Sequence, residues 1–339
     1  MRTTALYVLT AAMAGLLCTQ LAASPVDLMI GSRGYGMGGA YVAIANDPSA
    51  AYWNPACLAR VENISIMESN WILQDVEGLN VNYVSLAVPI KYVGTMSGSW
   101  LLQHATLEEG WDDRADGPEE TSSANEHAFS LSVGRQLWDK FLIFEKTSVG
   151  FSINRLTFTT DGERNGAGIG FDLGLATYLP LGIQFGFVAR SLGTDVMGEK
   201  VDPELRAGVG YAHVIRDMHR LTVAVDAEYK RNRDYQHVST LEPAEHNLRG
   251  HGGLEYSLLF DDLEISIRGG GNLMAYSTLD SYGFAAGAGV KYLGYSVQYA
   301  FRGDTDPDVT LGFGHRISII VELNNLGFKK KEEAHADGK

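Results

Sequence analysis

From about residue 62 onward the chain alternates apolar and polar side chains one by one. Leu221, Val223, Val225, Ala227 and Tyr229 interleave with Thr222, Ala224, Asp226, Glu228 and Lys230. Leu205, Ala207, Val209 and Tyr211 do the same against Arg206, Gly208, Gly210 and Ala212, as do Tyr295, Val297, Tyr299 and Phe301 against Ser296, Gln298, Ala300 and Arg302. The longest run sets Val309, Leu311, Phe313, Ile317, Ile319 and Val321 against Thr310, Gly312, Gly314, Arg316, Ser318 and Glu322. Successive side chains of a strand point to opposite faces, so each segment has one greasy side and one polar side. The pattern predicts strands at 62–71, 79–90, 92–103, 126–137, 142–159, 165–179, 182–191, 203–214, 219–231, 246–258, 262–274, 280–292, 294–302 and 308–323. Within 142–159 the phase changes near Asn154, where Ile153 gives way to Leu156 and Phe158, which suggests a bulge or an extracellular extension.

A soluble β-sandwich alternates as well, and three features separate the two readings. The segments run to about ten residues or more, against ~5–6 in soluble sheets and ~9–11 for a membrane strand. Aromatic residues recur near the ends of apolar faces, at Trp71, Trp100, Trp138, Tyr178, Tyr229, Tyr256 and Tyr292, as in the interfacial girdles of membrane barrels. The links also sort by length. Those after even-numbered strands are tight (Lys91, Trp138 to Phe141, Pro180-Leu181, Ile215 to Met218, Leu259 to Asp261, Leu293), whereas those after odd-numbered strands are mostly longer and polar, including 104–125, 192–202 and 232–245. Short periplasmic turns and longer external loops are the habit of outer-membrane barrels, and an even strand count returns the C-terminus to the side where the N-terminus began. The expectation is an all-β chain: a monomeric, transmembrane antiparallel β-barrel of about fourteen strands over 62–323, lying in the lipid of a bacterial outer membrane.

Composition agrees. Of 339 residues, 39 are Gly and only 9 Pro, with no triplet period, which suits many turns and close backbone contacts. No internal stretch approaches the ~18 consecutive apolar residues of a transmembrane helix, so a membrane crossing has to be made by a closed barrel. Residues 1–23 read as a secretory signal: Arg2 is the positive n-region, Ala5 to Leu17 the apolar h-region, and Ala22, Ala23 and Ser24 suit cleavage after Ala23. A lipoprotein reading of Cys18 is disfavoured by the bulky Leu17 before it. With the leader removed, Cys57 is the one cysteine left, read as a small buried residue, and no intrachain disulfide can form. Losing Arg2 takes the basic count from 27 to 26 against 41 acidic residues, a net charge of −15. That balance excludes nucleic acid, which calls for basic patches.

If the apolar register faces lipid, the opposite one lines the lumen with Asp172, Arg206, Asp226, Glu228, Lys230, Arg249, Glu255, Glu264, Arg268, Lys291, Arg302 and Arg316. Both signs are present, which favours a network of ion pairs that stiffens the barrel over a substrate path through the same residues. The inward glycines Gly166, Gly168, Gly170, Gly174, Gly283, Gly287 and Gly289 leave room for a plug. The loop 104–125 holds seven acidic residues against Arg114 and reads as a hydrated loop held off an anionic surface, ahead of a cation or partner site. Asp304, Asp306 and Asp308 lack the glycine and terminal glutamate of a calcium-binding hand, so no metal site is assigned. No HExxH, GxSxG or phosphate loop occurs, and the glycines of Gly34 to Gly39 do not follow a strand within a βαβ unit. Neither an enzyme nor a cofactor is expected.

The segment 31–60, GSRGYGMGGAYVAIANDPSAAYWNPACLAR, has no strand pattern. Ala40 to Ala45 reads as a short apolar stretch, Asn46-Asp47-Pro48 as a turn, and Ser49 to Trp53 as a helical turn ended by Asn54-Pro55. Its small side chains suit folding inside a lumen, as a hatch spanning 24–61, and the alternative is a periplasmic leader packed under the barrel. Gly36-Met37-Gly38-Gly39-Ala40, Asn46-Asp47-Pro48-Ser49-Ala50 and Tyr52-Trp53-Asn54-Pro55-Ala56 resemble the N-terminal pattern of the FadL-like superfamily of outer-membrane proteins, and most closely its PorV/PorQ-type branch. The chain departs from that pattern at Cys57, where the family usually has Gly, and in the charged tail 324–339 in place of a terminal aromatic. The resemblance implies a fourteen-strand barrel closed by an N-terminal hatch in which Gly36, Gly38, Gly39, Asn54, Pro55 and Ala56 take part. For FadL-like members it implies inward passage of hydrophobic small molecules, and for PorV-like members reception of exported proteins in type IX secretion. A continuous apolar cavity speaks for the first and a wide extracellular receptor surface for the second.

Overall fold

The computed structural model describes residues 28–73, 78–109, 120–161, 163–196, 199–231, 246–275, 280–304 and 313–323. The leader 1–23, the charged tail 324–339, the most acidic part of the 104–125 loop, and Asp306 and Asp308 lie outside the described residues.

The wall strands are β1 (Ser65–Leu73), β2 (Asn80–Ile90), β3 (Gly94–Glu109), β4 (Glu120–Phe141), β5 (Phe144–Thr160), β6 (Glu163–Tyr178) and β7 (Ile183–Leu192). They continue as β10 (Glu204–Ile215), β11 (His219–Arg231), β12 (His246–Leu259), β13 (Leu263–Ala275), β14 (Asp280–Tyr292), β15 (Tyr295–Asp304) and β16 (Phe313–Glu322). The two-residue strands β8 (Asp195–Val196) and β9 (Glu199–Lys200) form a separate small hairpin. Each wall strand pairs antiparallel with its neighbour in sequence, and β1 pairs with β16 through Ser69↔Ser318 and Trp71↔Arg316, closing a fourteen-stranded barrel. Closure leaves no strand edge unpaired, which is what a bilayer demands of a β structure.

The alternation maps directly onto the wall. On β11, Leu221, Val223, Val225 and Tyr229 are exposed outward, while Thr222, Ala224, Asp226 and Glu228 are buried inward. Comparable outward apolar residues circle the barrel, from Leu131 and Ile153 to Ile267 and Val297. A continuous apolar belt of this kind is costly in water and suits hydrocarbon. At one end all links are tight: 91–93, 142–143, 179–182, 216–218, 260–262 and 293–294. Leu293 (φ 49) and Gly294 (φ 88) both take positive φ, the two-residue turn whose twist matches that of paired strands. The opposite end carries the long links.

Four sequence expectations change. The ladder of β4 and β5 runs without a shift through Ser130↔Asn154 and Ala128↔Leu156, so there is no bulge at Asn154. Arg155 takes the outward position and Leu156 points inward, to 7% exposure, because the lumen is apolar at that height. Strands β3 and β4 continue to Glu108↔Thr121 and Glu109↔Glu120, converting both flanks of the 104–125 loop into a taller hairpin held by ladder bonds. Two aromatics assigned to the girdle turn inward: Trp71 packs edge-on against Tyr35 with the Arg316 guanidinium 5.0 Å above its ring, and Arg60 lies 4.8 Å over Tyr178. Finally, the link after β7 does not stay outside. Ser191 (φ 57) turns the chain back, and Thr194 and Asp195 lie against Gly170 and Gly168, where any Cβ would collide with them. Those two glycines make room for this loop rather than for the N-terminal segment.

Candidate functional site: the filled lumen and its pocket

Residues 28–61 lie inside the barrel, touching inward positions around most of its circumference. The segment contains α1 (Ser32–Gly36), α2 (Ala50–Trp53) and a 3-10 helix (Pro55–Arg60). Met37, Tyr41, Val42, Trp53, Cys57 and Leu58 are almost wholly buried and pack with inward Ala87, Ala176, Val188 and Ala224 of the wall. No helix that short is stable alone. What holds the segment is its contact with the wall, and the residue types follow from that.

Asn54 caps the 3-10 helix: its Oδ1 accepts the Ala56 N–H (3.1 Å), and its Nδ2 donates to the carbonyls of Val42 and Leu175 (both 3.1 Å). One side chain thus ties the helix, the apolar stretch and β6 together. Pro55 starts the helix where an N–H would have no partner. Pro55 and Ala56 then run so close to Gly134, Gly150 and Gly174 that a Cβ on any of these glycines would strike Pro55, Ala56 or Asn54. Gly38 (φ +65) and Gly39 (φ +88) need the left-handed region, and Gly38 presses backbone to backbone on Gly270 and Gly271. Gly36 faces the Arg268 stem and Ala300.

Of the twelve charges assigned to the lumen, Asp172, Arg206, Asp226, Glu228, Arg249, Glu255, Arg268, Arg302 and Arg316 all face inward, and most of these nine meet the segment. Asp226 Oδ2 accepts the Tyr41 and Val42 N–H groups (2.8 and 3.0 Å). Arg206 donates to Gly39 O (2.5 Å) and lies 3.5 Å from Asp226 and 3.3 Å from Glu228. Glu228 also pairs with Arg249 (3.3 Å) and with His251, whose other nitrogen meets Gly38 O (2.9 Å). Glu255 holds Arg33 (2.7 Å) and Arg268 (2.9 Å) together. Arg316 donates to Met29 O and lies 4.7 Å over the Tyr35 ring; Arg302 donates to Met29 Sδ (3.1 Å) and Asn272 Oδ1 (2.5 Å). Sequence reasoning missed Arg33, His251, Arg190 and Glu204. Arg190 and Glu204 follow the same inward register, whereas Arg33 lies outside any alternating run.

Asp172 takes no part in these networks. It borders an open pocket on the long-loop side of the segment. The floor is Ala51 and Tyr52; Tyr83, Leu101, Ala128 and Leu156 supply apolar lining with Ser99 and Ser130 between them, and Asn154, Asp172, Arg190, Ser191 and the inturned Thr194 complete the rim. The apolar lining belongs to a cluster that includes Ile30, Met67, Val81 and Ile320. The lumen is uneven: apolar side chains cluster beside the pocket on β1–β5, and ionised ones gather on β6, β7 and β10–β13, with Arg302 on β15 and Arg316 on β16. Among the described residues no group of His, Cys, Asp or Glu is arranged to hold a metal ion.

No family model matches this chain, and neither does any curated protein sequence. Solved structures do. The CymD monoaromatic hydrocarbon channel aligns with a TM-score of 0.57 at 12% identity, over 86% of this chain and 96% of that one. The Pseudomonas putida toluene transporter TodX gives 0.57 at 12% identity, over 87% and 99%. A FadL homologue from Pseudomonas aeruginosa gives 0.52 at 13% identity, over 86% and 98%. At this identity the likeness is one of fold: the chain has the barrel architecture of these channels along nearly their whole length.

Proposed function

We propose that the protein is an outer-membrane channel that admits hydrophobic small molecules, with residues 28–61 as the hatch that closes its lumen. The observation that carries this reading is the pocket: an apolar wall, open toward the long-loop side and floored by the segment itself. A preformed concave site that sets apolar side chains beside placed polar groups is what small-molecule binding calls for. The belt of outward apolar residues supports a bilayer setting, and the long links are then extracellular. Barrels of the same fold are described as a toluene transporter and a monoaromatic hydrocarbon channel, which supports the substrate class. Gly36, Gly38, Gly39, Asn54, Pro55 and Ala56 serve the hatch as close-approach and capping positions, and the inward charges fasten it. Tyr52 belongs to both hatch and pocket, with Arg190 4.8 Å over its ring, so an occupant touches the part that has to shift for passage.

The test is uptake of labelled toluene by cells of a strain lacking its own hydrocarbon channels, with and without this protein in the outer membrane. Faster uptake is expected, and a variant lacking 28–61 should conduct ions in planar bilayers where the intact protein does not. Unchanged uptake together with a silent deletion variant would sink the proposal. A role in protein export instead calls for a broad extracellular receptor face, and the links that would build it, 110–119, 232–245 and 305–312, lie outside the described residues.

A further inference from the structure

On β1 and β2 the outward register carries polar side chains among the apolar ones. Ile66, Glu68, Asn70 and Ile72 follow one another on β1, and Asn80, Asn82, Val84 and Leu86 on β2. Glu68 stands between the exposed Ile319 of β16 and Val84 of β2. Ile66 and Leu86 separate it from the short-link rim, and Ile72 lies beyond it on the other side. It is therefore inside the belt, not at its edge. Among the described residues it makes no hydrogen bond and no ion pair. A carboxyl group set in hydrocarbon is costly, and ionisable groups at membrane depth meet polar partners. Beside it runs a ladder of amides: Asn70 Nδ2 donates to Asn82 Oδ1 (2.6 Å), and Asn82 Nδ2 donates to Asn80 Oδ1. An amide nitrogen carries two protons, so Asn70 and Asn82 each keep one to give, and Glu68 has two oxygens to accept with.

Three occupants can be weighed against this patch. Acyl chains offer neither donor nor acceptor. A lipid headgroup belongs at the rim, past Ile66, and not at the depth of Glu68. A second copy of this chain, related by a two-fold axis along the membrane normal, brings the same patch with it. A two-fold contact needs a self-complementary surface, and an acceptor one strand step from its donors supplies one: each Glu68 accepts from an amide of the other copy, with Val84 and Ile319 around the polar centre. We infer that the β1–β2 face is where two copies of this barrel meet in the membrane, with Glu68 and Asn70 at the centre of the contact. The pattern of the sequence alone suggested a monomer, because alternation does not register which single outward position is charged.

Cross-linking and sedimentation test it. Cys57, the free cysteine among the described residues, is buried, so an introduced outward thiol reacts by itself. Val84→Cys lies beside Glu68, and Val225→Cys lies on β11, six strands away around the wall. Treated with a flexible bismaleimide in native outer membranes, Val84→Cys should give a linked pair of this chain and Val225→Cys should not. Equal linking at both positions, linking at neither, or a Val84→Cys adduct with a different polypeptide overturns the inference. In density-matched detergent the full chain should sediment as a dimer. Glu68→Leu should weaken the association about tenfold, the scale of a hydrogen bond to a charged group, and Glu68→Gln, which still accepts, only a few-fold. Glu68→Leu relieves the lipid face of a carboxyl group, so it should fold into vesicles at least as well as wild type, and a lost dimer then reports the contact itself. A wild-type monomer, or a dimer indifferent to Glu68→Leu, overturns the inference. The channel reading is untouched by either result.

Discussion

At the scale of single residues, the lumen is governed by close approach. Gly150 sits where a Cβ would overlap the backbone of Pro55 and Ala56, and backbone cannot swing aside as a flexible side chain can. Gly150→Val should therefore destabilise the assembled protein by about 1–3 kcal/mol, as overpacking does. A fall in the temperature at which its gel mobility shifts would show it, and an unchanged shift would mean the 3-10 helix is not pressed on β5. Cys57 offers an independent probe. It is wholly buried, and burial pushes its thiol pKa up against the opposing pull of Arg60, which leaves little thiolate at neutral pH. Maleimide should label Cys57 only after denaturation, and prompt labelling of the native protein would contradict the packing. The reading of Cys57 as a small buried side chain was available from composition alone, since one leftover cysteine has nothing to pair with.

At the scale of elements, the segment 28–61 behaves as a set of short pieces that borrow their stability from the wall. Asn54 is where three of them meet, so Asn54→Ala removes three hydrogen bonds and leaves the Ala56 N–H without its cap. A loss of about 1–3 kcal/mol is expected, read as faster proteolysis of the segment in otherwise intact barrels; resistance equal to wild type would show that the cap is dispensable. The strands were legible in the sequence because burial against lipid on one side and a filled lumen on the other imposes a period of two. Their ends were less so: the β3–β4 hairpin continues with polar residues on both faces, where backbone bonds persist and hydrophobic alternation stops. Trp71 and Tyr178 were assigned to the girdle by proximity to strand ends. They face the lumen because Trp71 shares the inward register of Met67 and Ser69, and Tyr178 that of Asp172 and Ala176, and there Arg316 and Arg60 meet them.

At the scale of the whole molecule, the barrel inverts the arrangement of a soluble protein, with apolar groups outward and ion pairs within. Val225 lies midway along β11 and is 60% exposed. Val225→Arg should cost about 2–4 kcal/mol if that position meets the middle of the bilayer, measured as the shift in reversible folding into lipid vesicles. A neutral outcome would argue that the belt is covered by something other than hydrocarbon.

The sequence by itself determined the strand count, the even closure, the outward belt and most of the inward charges, because each follows from a periodicity that every strand repeats. It also marked 31–60 as a stretch apart. Only the tertiary structure decided how the inward residues gather into apolar and charged clusters, which ion pairs grip the segment, and that Asp172 and Arg190 border a pocket with Thr194 folded in beside them. Those are relations between residues far apart in the chain, set by barrel register and by where a loop turns inward, and a one-dimensional pattern carries no information about distance across a lumen.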